Sequence, residues 1–482
     1  MKKYLWIILA TCSLTLFTSC EELDELFDLV TDNPAQSYTP TYHNDASIPD
    51  TVYVAYVNQP DAKEYLPAPP ATSEVDFLDD KVQWEWGKMQ RSTSRGQTAM
   101  AHMGRTPNVV AKVMAEALGL SAINKQSTPA LERLLHRAYR TGEQSTYSAK
   151  LAYKRQRAYA VMGETPWYAP DANENTGAFV SATTAGGWAV GLAFAEMWPP
   201  LQNNILRKAF QFGEDRVISG SNFQSDVDGA YAAASASMAQ AHTNSTFQQD
   251  ITAARDEYKK LKGLSSSYNP TTGVGLPEGV KILNAPLTTS DSRHQADLMR
   301  YYEAKKLRDT SRGSQAVMDA DAGTENMAKI FGGILGITIS PTNTPYIYQL
   351  LELIRPHNSN ICTAVKLTYF RLRPFALLGE STPLPAKEYS YKTTSSYPSG
   401  HTCCAWGVAL VLCEVAPAYQ NQILARAYNF GYNRVIVGYH WPTDVDAGRL
   451  LASSVNAYLH ASDDFRNLIK KAQSEYKKVA KK

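Results

Sequence analysis

Lys366-Leu-Thr-Tyr-Phe-Arg-Leu-Arg-Pro-Phe-Ala-Leu-Leu-Gly-Glu380 restates, 216 residues on, the stretch Lys150-Leu-Ala-Tyr-Lys-Arg-Gln-Arg-Ala-Tyr-Ala-Val-Met-Gly-Glu164. Upstream, Thr93-Ser-Arg95-Gly96 matches Thr310-Ser-Arg312-Gly313 at an offset of 217. Downstream, Trp188, Glu196, Gly213, Arg216-Val217-Ile218 and Asp226-Val227-Asp228 match Trp406, Glu414, Gly431, Arg434-Val435-Ile436 and Asp444-Val445-Asp446 at 218. An offset that drifts so little points to a duplication, and its length is far beyond any solenoid period, so two tandem domains are expected. The seam falls where Ser265-Ser-Ser-Tyr-Asn-Pro-Thr-Thr-Gly273 reads as linker. The boundaries that follow are 61–262 for the first copy, 263–279 for the linker and 280–482 for the second.

A chain of 482 residues exceeds what one hydrophobic core holds, in keeping with two domains. Apolar residues make up 44% and charged residues 20%, which excludes a disordered chain. A formal net charge of +2 leaves no global basic field to recruit nucleic acid. Both halves read as helical. Ser399-Gly400 precedes an apolar-faced helix through about Glu414, Ile423 to Phe430 begins another after Pro417, and Thr443 with Asp446 resembles a capping box for a helix towards His460. Val435-Ile436-Val437 is too short to build a sheet. The expected architecture is all-α, two related helical bundles packed as a pseudo-dimer.

At the N-terminus, Lys2 and Lys3 precede an apolar stretch from Tyr4 to Phe17 and then Thr18-Ser19-Cys20. That is the make-up of a secretory leader, too short for a stable membrane span. Its last residues resemble the lipobox of bacterial lipoproteins, with Phe17 an imperfect match. Residues 1–20 are then a signal peptide, Cys20 carries lipid, and 21–60 is a polar tether. The chain is expected outside the cytoplasm, at the bacterial outer membrane, held there by its lipid alone. Ordinary secretion without the anchor is the other reading. Cys362, Cys403, Cys404 and Cys413 lack the paired spacing of a zinc site. Small buried thiols are expected, and a disulfide to Cys362 stays open.

Three pieces of the second half carry chemistry. Lys366 and Arg373 lie seven apart; on a helix both face one side and address one anion, with Pro374 ending that helix. Tyr397-Pro-Ser-Gly-His-Thr402 brings backbone amides, the Ser399 hydroxyl and His401 to a helix start, where Gly400 permits close approach. Arg434, His440 and Asp444 follow; the last two, at i and i+4, suit an imidazole whose tautomer is fixed by a carboxylate. Separately these are a solvated basic face, a capped helix and a structural histidine. Together they suit a tetrahedral oxyanion and need no metal.

The pattern Lys-x6-Arg-Pro, Pro-Ser-Gly-His, Arg-x5-His-x3-Asp resembles that of the phosphatidic acid phosphatase type 2 and vanadium haloperoxidase superfamily. Ser395 to Thr402, and the run Gly438-Tyr-His-Trp-Pro-Thr-Asp444, resemble the bacterial class A non-specific acid phosphatases. The resemblance implies that His440 attacks phosphorus, Asp444 orients it, and His401 protonates the leaving alcohol and then activates water. It assigns the phosphoryl oxygens to Lys366, Arg373, Ser399, Gly400 and Arg434. It implies small phosphorylated substrates and no cofactor. A vanadate-dependent haloperoxidase and a non-catalytic surface scaffold are the competing functions. Asn433 stands where the family has serine, and Ser395 replaces a signature glycine.

In the first half Lys150, Arg157, Ser181, Arg216 and Asp226 persist, whereas Thr183 stands at the His401 position and Asn222 at the His440 position. Without a nucleophile no phosphohistidine forms. The first copy is expected to be inactive, kept as a packing partner or as a residual phosphate-binding module.

Overall fold

The computed structural model describes residues 52–104, 106–168 and 177–480; the leader, Cys20 and the tether up to residue 51 lie outside them. Every regular element among the described residues is helical. In the first half the main helices are α1 (Phe77–Gln90), α2 (Pro129–Gln144), α3 (Ala182–Met197), α4 (Gln202–Ile218), α5 (Gln224–Ala241) and α6 (Ser245–Leu261). In the second they are α7 (Arg293–Lys305), α8 (Pro345–Thr368), α9 (Gly400–Val415), α10 (Gln420–Ile436), α11 (Pro442–His460) and α12 (Asp463–Val479). From α3 and α9 onward each helix of the second half starts 218 residues after its counterpart.

The reason is local. Ser181 and Ser399 each cap the next helix, accepting a hydrogen bond from the amide of Thr184 or Thr402. Pro129 and Pro345 each occupy the first turn of theirs, where proline loses no hydrogen bond. α3 and α9 consist almost wholly of buried small and apolar residues, so neither has a solvent face. Each is ringed by its own half: α3 by α2, α4 and α5, α9 by α8, α10 and α11. α3 also meets α11, and α5 meets α9 and α11, so one hydrophobic core runs through both halves.

Three expectations change. The tether does not extend to residue 60: Tyr53 and Val54 are buried, and the Tyr53 hydroxyl bonds Asp250 at 2.8 Å. Lys366 and Arg373 share no helix, because α8 ends at Thr368 and Pro374 opens a new short helix, Pro374–Leu378, as its first residue. The box expected of Thr443 and Asp446 does not form: at the start of α11 it is Asp444 that reaches back, accepting from the Trp441 amide at 2.8 Å. Thr443 instead donates to Asp297 at 2.5 Å, and Asp446 pairs with Arg449. The four cysteines are buried free thiols. No helix among the described residues is long and apolar enough to cross a membrane.

Candidate active site

α10 ends with Arg434 pointing inward, and Gly438, at a φ of +85°, turns the chain into Tyr439-His440. Trp441 then leads into α11, whose first turn carries Asp444. Residues 369–373, between α8 and the Pro374 helix, pass alongside. The start of α9 completes the enclosure. Gly448 has no side chain to keep α11 off it: a Cβ there would lie 2.7 Å from the Ser399 carbonyl oxygen.

Lys366 Nζ donates to the carbonyls of Ser395 (2.8 Å) and Ser396 (3.0 Å), and Arg373 Nη2 donates to the same Ser395 oxygen at 3.1 Å. The two cations thus meet at one loop despite lying on different elements. Arg373 Nη1 reaches His440 Nε2 at 3.3 Å. Arginine only donates, so Nε2 carries the lone pair and the ring proton sits on Nδ1. Nδ1 faces Asp444 Oδ2 at 3.6 Å, an ionic contact longer than a hydrogen bond. Asp444 is instead held by the Trp441 amide (2.8 Å) and by Arg371 Nη1 (2.7 Å). Ser399 donates its amide to the Asp444 carbonyl at 2.8 Å, and its hydroxyl accepts from Thr402. His401 Nε2 donates to the Ala320 carbonyl at 3.2 Å, and Arg434 donates to the neighbouring Asp319 carbonyl at 3.3 Å.

The electrostatics are those of crowded positive groups. Burial, reinforced by Arg373, brings Lys366 down to about 8. Burial likewise lowers Arg373 and Arg434 to about 10. The imidazole of His401 is held well below its ordinary value by burial, Arg434 and His440. That of His440 is held down by burial, Arg373, Lys366 and Arg434. A doubly charged oxyanion entering among these groups relieves the repulsion on all of them.

All eight residues singled out in the second half therefore converge. Sequence reasoning missed what holds them. Arg371 is clamped between Asp444 and Asp297, both at 2.7 Å. Asp319 pairs with Arg426 and accepts from Asn433 at 2.7 Å. Arg371 had a signal: it is matched by Arg155 in the repeated stretch, where Arg155 likewise bridges Asp80 and Asp226.

In the first half Lys150 donates to the Gly177 carbonyl, the counterpart of Ser395. Arg216 donates to the His102 carbonyl at 2.7 Å, and Ser181 donates its amide to the Asp226 carbonyl at 2.9 Å. Arg157 is buried.

The profile of the PAP2 superfamily matches residues 352–467, which hold the whole set from Lys366 to Asp444. Over 186 residues, 38% of this chain and 75% of the relative, the sequence is 39% identical to the non-specific acid phosphatase of Providencia stuartii. It is 35% identical to that of Salmonella typhimurium over 194 residues, 40% of this chain and 78% of the relative. It is 33% identical to the acid phosphatase of Zymomonas mobilis over 197 residues, 40% of this chain and 74% of the relative. The chain belongs to the PAP2 superfamily. Within it, the second half is similar to bacterial acid phosphatases.

Proposed function

We propose that the protein is a metal-independent acid phosphatase hydrolysing phosphate monoesters through a phosphohistidine on His440. The observation that carries this is the Arg373–His440 contact, which leaves a lone pair on Nε2 in the midst of Lys366, Arg373 and Arg434. Nε2 forms a bond to phosphorus as the ester P–O bond breaks, and the departing alcohol takes a proton from His401. The Nδ1 proton of His440 stays, and its developing charge faces Asp444. His401, now neutral, takes a proton from water, whose oxygen attacks phosphorus and releases His440. Lys366, Arg373, Arg434, Ser399 and the Gly400 amide hold the non-bridging oxygens throughout, which is most of what phosphoryl transfer asks of a protein. His401 must be protonated to act, and burial beside Arg434 opposes that; the substrate dianion restores the proton, so binding and acid catalysis are linked.

The reading includes a duplicated chain, with 61–262 an inactive copy packed as a pseudo-dimer on 280–482, and a lipid at Cys20 holding the mature protein to a membrane. The test is hydrolysis of p-nitrophenyl phosphate, with and without chelator, by the mature chain and by His440→Ala. Turnover indifferent to chelator and lost in the variant supports it; equal turnover in both proteins overturns it. A base-stable, acid-labile phosphoenzyme in the wild type identifies the intermediate. Bromide oxidation with vanadate and peroxide in its place returns the haloperoxidase.

A further inference from the structure

Away from the phosphate cradle, a histidine closes α5 and α11: His242 is the cap just after α5 and His460 the last residue of α11, 218 residues apart. Their rings stack across the seam between the halves, centroids 3.6 Å apart and planes at 21°. Two further residues at the same offset, Glu196 of α3 and Glu414 of α9, flank them. All four side chains are at least 95% buried. The PAP2 chemistry uses none of them.

The hydrogen bonds are directional. His242 Nε2 bonds Glu196 Oε2 at 2.8 Å, leaving Nδ1 without a hydrogen-bond partner and 3.8 Å from Glu414 Oε1. His460 Nδ1 donates to the Asn456 carbonyl at 2.8 Å, leaving Nε2 to face Glu414 at 3.0 Å. His242 Nδ1, His460 Nε2 and a Glu414 oxygen thus converge, one ligand atom from each lying within 4.8 Å of the others. Each imidazole is held from behind by an oxygen acceptor, the usual arrangement around a metal-ligating histidine. A small cavity lined by Glu196, His242, Ser235 and Asn456 adjoins the cluster, and Asn456 Oδ1 is also buried without a partner. The nearby guanidiniums turn elsewhere: Arg255 bonds the carbonyls of Glu196 and Met197, and Arg466 that of His460.

We propose that His242, His460 and Glu414 form a binding site for a borderline divalent transition ion, zinc in kind, that fastens the two halves together. Metal–nitrogen bonds of about 2.0–2.1 Å set tetrahedral ligands roughly 3.3 Å apart, so the rings tilt open from their near-parallel stack as the ion enters. The proton on His460 Nε2 leaves to solvent as the metal–nitrogen bond forms. Two carboxylates, two neutral imidazoles and one divalent cation then sum to zero charge in a dry interface. A water in the adjoining cavity completes four ligands. The site is structural and stands independently of the phosphatase reading.

The test uses the full mature chain, stripped with chelator and titrated with Co2+ as the spectroscopic probe and Zn2+ as the thermal one. One equivalent is expected, with visible d–d absorption and a raised Tm, in the wild type and in His440→Ala alike. His242→Gln, folded by circular dichroism and retaining turnover, should lose both signals. If it does not fold, Glu196→Gln decides: loss of the carboxylate behind His242 weakens binding about 10–100-fold. No stoichiometric binding by the wild type, binding lost in His440→Ala, or binding unchanged in the variants overturns the proposal.

Discussion

Asn222 and His440 hold matching positions in two frames that repeat the same ion pairs, and the comparison separates what builds this site from what makes it react. Asn222 Nδ2 donates to the Ala178 carbonyl at 3.1 Å and to Asp226 Oδ2 at 3.2 Å, while its Oδ1 accepts from Ser181 at 3.3 Å. The amide thus satisfies its surroundings internally. His440 does the opposite: its Nδ1 has no full hydrogen bond, and its Nε2 accepts from a catalytic-side arginine. Around them the scaffolds agree. Asp80–Arg155–Asp226 repeats as Asp297–Arg371–Asp444, and the serine-capped helix starts repeat as well. A fold keeps its polar frame because breaking buried ion pairs is expensive, whereas a nucleophile can be exchanged for an amide that bonds well.

The strongest way to break that comparison is to write one half into the other. His440→Asn gives the second half the side chain of the first. It should abolish p-nitrophenyl phosphate turnover, by at least about 10³-fold, since the nucleophile is gone and only binding and charge stabilisation remain. Its unfolding midpoint should hold or rise, because the new amide meets Asp444 as Asn222 meets Asp226. Phosphate titration of the wild type should meanwhile show one site per chain; a second would mean the first half still binds.

Arg155→Ala and Arg371→Ala test the shared frame. Each leaves two buried carboxylates without their common partner, at a cost of about 3–5 kcal/mol, read as a fall in the denaturant midpoint. Below that midpoint only Arg371→Ala should also lower kcat, because only Asp444 stands behind a nucleophile. Equal kinetic damage from both would mean the halves are catalytically coupled.

The pH profile sharpens the comparison further. A depressed His440 keeps the neutral nucleophile present well into acid, so the acid limb of kcat/KM falls below the ordinary histidine range. Burial is the main cause, and Arg373 and then Lys366 add to it. Lys366→Met preserves burial and removes one cation; the imidazolium is then less disfavoured, His440 rises, and the acid limb moves to higher pH. An unmoved limb would mean that Lys366 does not act on His440.

Much of this was legible because the two halves of the sequence can be read against each other. Helix starts, the inward positions and the substitution of both histidines follow from reading one half against the other. What escaped was long-range. Nothing near Arg371 in sequence announces Asp297, 74 residues away, and the seven-residue spacing of Lys366 and Arg373 suggested one helix where two elements converge on Ser395. Thr443 and Asp446 fit the capping pattern in sequence, and only the pairing of Thr443 with Asp297 shows that Thr443 is spent elsewhere. His242 and His460 share the repeat's offset, but their meeting depends on how the halves pack.

The smallest effect is expected at Asn433. Its Nδ2 donates to Asp319 Oδ2, which Arg426 also holds, at 2.8 Å. In the first half the same contact is made with the roles reversed: Asp215 takes the Asn433 position and pairs with His102 at 2.7 Å. What both halves preserve is a polar link between the body of α4 or α10 and the loop whose carbonyl receives Arg216 or Arg434. Asn433→Ser shortens that link without removing its donor, and Arg426 still anchors Asp319. kcat/KM should therefore change less than about 10-fold, a loss near 1 kcal/mol, with the pH profile unmoved. A larger loss, with KM raised and kcat unchanged, would show that Arg434 owes its position to Asn433 rather than to its own carbonyl contact.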